Sequence, residues 1–267
     1  MPKFKMFQVD AFAERVFTGN PAAVLVVDEW LSEHLMQAIA AENNLAETAF
    51  VRRQGAGFEL RWFTPVQEAA FCGHATLATA HVLATHYGVA GEITFATRKV
   101  GPLKVRPDAG GYTLDLPSLA PEPLEPMPDL LRDLFPRECA DAFRNFENLF
   151  VVLASEAELR AYVPDGARIA LLRHMGLCIT APADAGGDID FLSRYFAPGA
   201  GIPEDPVTGS THATLVPYWS KRLGRQRLQA YQASQRGGHL ACRLAGDRVW
   251  LTGRAVTFME ACIDVPG

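Results

Sequence analysis

The chain has 267 residues, a formal net charge of -5, 49% hydrophobic and 21% charged side chains, a composition that supports a packed core and argues against disorder. Its Lys and Arg residues are scattered and form no stripe able to neutralise successive phosphates, which argues against nucleic acid as a partner. No stretch reaches the roughly 20 apolar residues of a membrane span, and charges interrupt the first apolar residues, so a cytoplasmic protein with no membrane partner is expected.

This length is at the upper edge of what one core serves, which favours two domains. Residues 5–12 and 22–27 read as strands joined through the turn formers Thr18, Gly19, Asn20 and Pro21. Ser32 can cap a helix that places Leu35, Met36 and Ile39 on one face and runs out at Glu42, Asn43 and Asn44. Glu47 then stands at a strand entrance. Residues 58–63 alternate, with Phe58, Leu60 and Trp62 opposite Glu59, Arg61 and Phe63, the pattern of a half-buried strand. Between Gly73 and Tyr87 there is no Lys, Arg, Asp or Glu, so this helix needs cover on every side.

The block recurs. Phe63-Thr-Pro leads to Gly73, an Ala75-Thr76-Leu77 triplet and Gly88, while Phe196-Ala-Pro leads to Gly209, an Ala213-Thr214-Leu215 triplet and Gly224. Residues 101–106 and 238–243 echo each other at nearly the same separation. Three echoes point to duplication: an α/β (α+β) protein of two pseudo-symmetric domains, each a mostly closed sheet around a buried central helix. Pro117, Pro121, Pro123, Pro126 and Pro128 mark an extended crossover. The expected halves are 1–117, completed by a C-terminal return at 256–267, and 118–255.

Gly73 and Gly209 would then head equivalent helices, whose free N-H groups and partial positive charge suit an anion, the basis for expecting a small carboxylate substrate between the halves. The titratable groups nearby are Glu47, Glu68, Cys72 and His74 in the first half, and Glu204 and Asp205 in the second, with Ser210 and His212 beside them. Glu204, Asp205 and Ser210 read first as capping or dipole partners. His74, His81 and His86 share a helix without the i, i+4 spacing of a zinc site, so no metal is expected. Phosphate-loop and dinucleotide fingerprints are missing from the sequence, and no cofactor is expected. Five cysteines, odd in number and without a Cys-x-x-Cys pair, are expected as reduced thiols, four of them in apolar or helical surroundings.

The runs from Gln8 to Phe12, Gly19 to Val24, Asn44 to Phe50, Arg61 to Pro65, Cys72 to Leu77 and Gly201 to Ser210 resemble the PhzF family in order and spacing. The resemblance implies a diaminopimelate-epimerase-like fold and an isomerase without metal or cofactor. It places Glu47 as catalytic acid-base in the interdomain cleft, with His74 and Asp205 beside the reacting atoms and Gly73, Gly209 and Ser210 lining the substrate site. A homodimer is the family's usual assembly. The type member moves a hydrogen along a conjugated ring, so proton transfer within a small cyclic or unsaturated carboxylate is expected.

Two other readings compete. Enzymes of the wider fold use one cysteine at each helix start for racemisation or epimerisation. Here Cys72 precedes Gly73, but Thr208 precedes Gly209, which leaves at most a one-thiol elimination or dehydration. The other is a non-catalytic protein that keeps the pocket to bind a ligand or partner.

Overall fold

Alternating apolar residues carry the chain into a first hairpin, β1 (Lys3–Ala11) and β2 (Asn20–Val27). The intervening turn needs Gly19, whose φ is +66° and whose Cβ, if it had one, would lie 2.2 Å from the Ala11 carbonyl oxygen. The computed structural model describes residues 2–108, 110–135, 139 and 141–265. Residues 1, 109, 266 and 267 of the expected first half, and 136–138 and 140 of the second, lie outside them.

From β2 the chain passes through α1 (Glu33–Asn43), β3 (Glu47–Gln54), β4 (Gly57–Phe63), β5 (Glu68–Ala69) and α2 (Gly73–Tyr87). Strands β6 (Ile93–Ala96), β7 (Leu103–Asp108) and β8 (Gly111–Pro117) follow. Ser32 caps α1 by accepting from the Leu35 N–H, and Asn44 closes it in the left-handed region. Next come β9 (Glu122–Pro123), α3 (Asp129–Leu134), β10 (Asp141–Arg144), β11 (Asn148–Val152), α4 (Glu156–Ala161) and α5 (Gly166–Ile169). Then β12 (Gly176–Pro182), β13 (Phe191–Ala197), β14 (Ile202–Asp205), α6 (Gly209–Leu223), β15 (Arg227–Gln232), β16 (Gly238–Ala245) and β17 (Arg248–Gly253) lead to β18 (Ala255–Asp264). Among the described residues, no helix is long and apolar enough to cross a membrane.

The chain divides into two compact units, residues 1–116 with 251–267, and residues 117–250. The return to the first unit thus starts at Leu251, ahead of the expected Val256. Pairing within each unit follows one pattern. In the first, β1 and β2 are antiparallel, β2 and β3 parallel, β3 and β4 antiparallel, β4 and β6 parallel, and β6 and β7 antiparallel. In the second, β10 and β11, β11 and β12, β12 and β13, β13 and β15, and β15 and β16 repeat that series. The first unit gains β18, antiparallel to β1.

Helix α2 is buried from Gly73 to Leu83 and packs on β1, β2, β3 and β18. On the other side of the sheet α1 packs through Met36, Ile39 and Ala40 against Leu25, Phe50 and Phe63. Burial on both faces explains the continuous apolar run of β2. The second unit packs Leu131, Leu159 and Ile169 of its shorter helices against Leu149, Val151, Ile179 and Phe196.

Two expectations need correcting. Residues 58–63 do not form a strand with one wet face, because Arg61 and Phe63 are as buried as Leu60 and Trp62. The alanine-threonine-leucine triplets are not equivalent either. Both helices run 15 residues from their glycines to left-handed closing glycines at 88 and 224. Alignment on those ends sets Ala75 opposite Thr211, so the repeat is one of architecture and helix ends. Of the cysteines, Cys72, Cys178 and Cys242 are buried, whereas Cys262 is exposed on β18.

Candidate active site

Two clusters of polar side chains are built at the starts of α2 and α6. In the first unit Glu47 opens β3 beside Ala22 of the parallel β2, which puts it near Asn20 at the start of that strand. His74, the second residue of α2, is 5% exposed. Its Nε2 is 3.1 Å from Glu47 Oε2, and the Asn20 amide is 3.1 Å from its Nδ1. An amide carries both an acceptor and a donor, so Asn20 can serve either a charged or a neutral ring. Burial opposes a charge on His74, but Cys72 and Glu47 outweigh it, and its pKa is raised well above the usual imidazole value.

Cys72 caps α2. Its Sγ accepts from the Ala75 N–H at 3.4 Å and lies 3.5 Å from His74 Nδ1. Burial first, and then the Glu47 charge, push this thiol up to about 11, against the pull of His74 beside it. Glu47, Cys72 and His74 present donor atoms within 4.8 Å of one another, a juxtaposition that helix spacing could not reveal because Glu47 comes from a strand.

In the second unit Asp205 ends β14 and is 6% exposed. Its Oδ2 accepts from the Thr208 hydroxyl, while its backbone carbonyl accepts from Gln232 Nε2 at 2.8 Å. Gln232 Oε1 in turn accepts from the Thr208 N–H at 2.8 Å. Gln232, fully buried at the end of β15, escaped the sequence reading because it lies 24 residues from Thr208. With its hydroxyl turned to Asp205, Thr208 makes no side-chain cap on α6. The first-turn N–H groups at Gly209 and Ser210 therefore have no cap from that residue. Ser210 is half-buried.

The structure thus brings Glu47, Gly73 and His74 together in one unit and Asp205, Gly209 and Ser210 together in the other. Equivalent places carry different groups: Cys72 matches Thr208, and His74 matches Ser210. A family model, PhzC-PhzF, phenazine biosynthesis-like protein, matches residues 9–261. The chain belongs to the phenazine biosynthesis-like PhzF family. An uncharacterized isomerase of Pseudomonas aeruginosa is 46% identical over 255 residues, covering 95% of this chain and 96% of that protein. The crystal structure of a PhzF-family phenazine biosynthesis protein from Enterococcus faecalis superposes with a TM-score of 0.93 at 43% identity, covering 99% of this chain and 100% of its own. A predicted epimerase from Pseudomonas aeruginosa shares the fold, with a TM-score of 0.73 at 20% identity over 98% of this chain and 100% of its own.

Proposed function

We propose that this PhzF-family chain is an isomerase that moves a proton within a small cyclic or unsaturated carboxylate, with Glu47 as acid-base and without metal or cofactor. The observation that carries this reading is the Glu47–His74 pair at 3.1 Å beside the start of α2. A carboxylate can take a proton from one substrate atom and return it to another, because the same group serves as base and then as acid. His74, whose Nε2 lies 3.1 Å from Glu47 Oε2, keeps that carboxylate oriented between transfers. The substrate's own carboxylate is assigned to the N–H groups of a helix start, as the dipole favours.

Asp205 is assigned to the same reaction, an assignment taken from the resemblance, as are a homodimeric assembly and a cytoplasmic location. The thiol reading has less support: burial pushes the Cys72 thiol up to about 11 and its sulfur caps α2, and its counterpart Thr208 is no acid at neutral pH.

The test is incubation of the protein with cyclic and unsaturated carboxylic acids, dihydro-hydroxyanthranilate among them, in deuterated water, with label followed by NMR. Label entering a substrate carbon with the native protein but not with Glu47→Gln is the expected result. Equal label with both proteins would sink the acid-base role.

A further inference from the structure

The two units share a polar feature: a buried arginine paired with a glutamate ahead of the central helix. Arg61 lies two residues before Phe63 on β4, and Arg194 two before Phe196 on β13. Glu68 stands five residues before Gly73, and Glu204 five before Gly209. Each arginine grips its glutamate with both tines of the guanidinium. Arg61 donates through Nε and Nη2 to the two Glu68 oxygens at 2.8 Å each, and Arg194 to the two Glu204 oxygens at 2.8 and 3.0 Å. The arginines are 5% and 9% exposed.

Each arginine also has a second hold, on the crossover that joins the unit's parallel strands. Arg61 Nη2 donates to Glu33 in the first turn of α1 at 3.0 Å. Arg194 Nη1 donates to the Tyr162 and Leu159 carbonyl oxygens at the end of α4, at 2.7 and 3.3 Å. One guanidinium therefore ties together three pieces of backbone in each unit: a core strand, the crossover, and the short strand that runs into the central helix.

Buried ion pairs are a poor source of stability, since desolvation cancels much of the attraction, but a bidentate fork is geometrically specific. The repeat has lost identity at the sites around it: Ala69 matches Asp205, Cys72 matches Thr208, and His74 matches Ser210. The fork has survived where the chemistry has diverged. Glu204 and Asp205 are neighbours on β14 and project to opposite faces, so holding Glu204 aims Asp205. In the first unit, the three residues after Glu68 deliver the chain to Cys72, whose cap fixes the turn carrying His74.

We infer that Arg61–Glu68 and Arg194–Glu204 are positioning residues for the reaction, each holding the start of its own central helix in register with the site residues beside it. The inference rests on the proposed roles of Glu47, His74 and Asp205. Misplacement of a reacting group by about 1 Å can cost on the order of 100-fold in rate, so the forks act on turnover through geometry, without touching substrate.

Glu204→Gln and Glu68→Gln keep shape and remove the charge. Amide exchange is read at Thr208, whose N–H is held by Gln232, and at Thr76, whose N–H is held by the Cys72 carbonyl. Val151 and Phe50, in the middle of strands, serve as references. Glu204→Gln is expected to speed exchange at Thr208 by about ten-fold or more while Thr76, Val151 and Phe50 stay within about two-fold. Glu68→Gln is expected to do the reverse, and to move the His74 ring Cε1–H resonance while that of His81 stays in place. If either glutamine variant fails to fold, Arg194→Lys and Arg61→Lys, which keep the charge and lose the fork, are expected to give the same pattern. Acceleration spread evenly through a unit, or none at either helix start, would overturn the inference. Should Glu47→Gln leave substrate labelling intact while the exchange pattern is as expected, the reading of the reaction falls and the hold on the helix starts stands.

Discussion

Two buried histidines sit in the first turns of equivalent helices and are pushed in opposite directions. His212 of α6 is fully buried, donates from Nδ1 to the Thr208 carbonyl at 2.9 Å, and is lowered to about 4 by burial, which the carbonyl only partly offsets. His74 of α2 is almost as buried, yet it is raised. The difference lies in the neighbours: Cys72 and the Glu47 carboxylate, 3.1 Å from Nε2, press on His74, whereas His212 meets a backbone carbonyl. Burial by itself makes an imidazole neutral and structural; burial beside Cys72 and Glu47 raises it instead. One duplicated scaffold thus holds a raised histidine in the first turn of α2 and a lowered one in the first turn of α6.

That contrast can be broken in several ways. The largest effect should come from the scaffold, where the units are expected to behave alike. Leu77→Ala and Leu215→Ala, both at fully buried positions, should each cost about 3 kcal/mol in urea unfolding, and a cost near zero in either helix would show that the two are not equally embedded.

Acid comes next. A histidine whose folded pKa is depressed contributes stability above its unfolded value, lost as pH falls towards the folded value. His212 should therefore cost the native protein about 3 kcal/mol as pH drops from about 6.5 to about 4, a loss that His212→Gln removes. His74 has the opposite sign: its contribution is full below about 6.5 and fades as pH rises above that. Stability curves of the native protein and His74→Gln should converge with rising pH, and parallel curves would deny the charged pair.

Much of the scaffold was legible because it follows from pattern. The uncharged run from Gly73 to Tyr87 demanded a central helix, and the glycines at its ends marked its counterpart. The triplets misled because small residues recur by chance in any buried helix. The burial of Arg61 was illegible since its neutralising partners, Glu68 and Glu33, are 7 and 28 residues away. Gln232 and the ring-to-carboxylate contact of His74 were hidden for the same reason: strand pairing, not spacing, brings them together.

Smaller effects sharpen the comparison at the helix starts. Asp205→Asn should lower turnover by about 10- to 100-fold if the start of α6 takes part in the reaction, and native turnover in the solvent-exchange assay would confine the chemistry to the first unit. Cys72→Ala removes the cap of α2 and should cost about 1 kcal/mol in thermal unfolding; no loss would mean that the sulfur caps nothing.

The most direct test of the central claim sets two variants side by side in the deuterium assay, Glu47→Gln and Cys72→Ala. With Glu47 as the acid-base, Cys72→Ala keeps label incorporation within about ten-fold of native, whereas Glu47→Gln loses about 1000-fold or more. The reverse order, with labelling abolished by Cys72→Ala and retained by Glu47→Gln, would contradict the account and make the thiol the catalytic group.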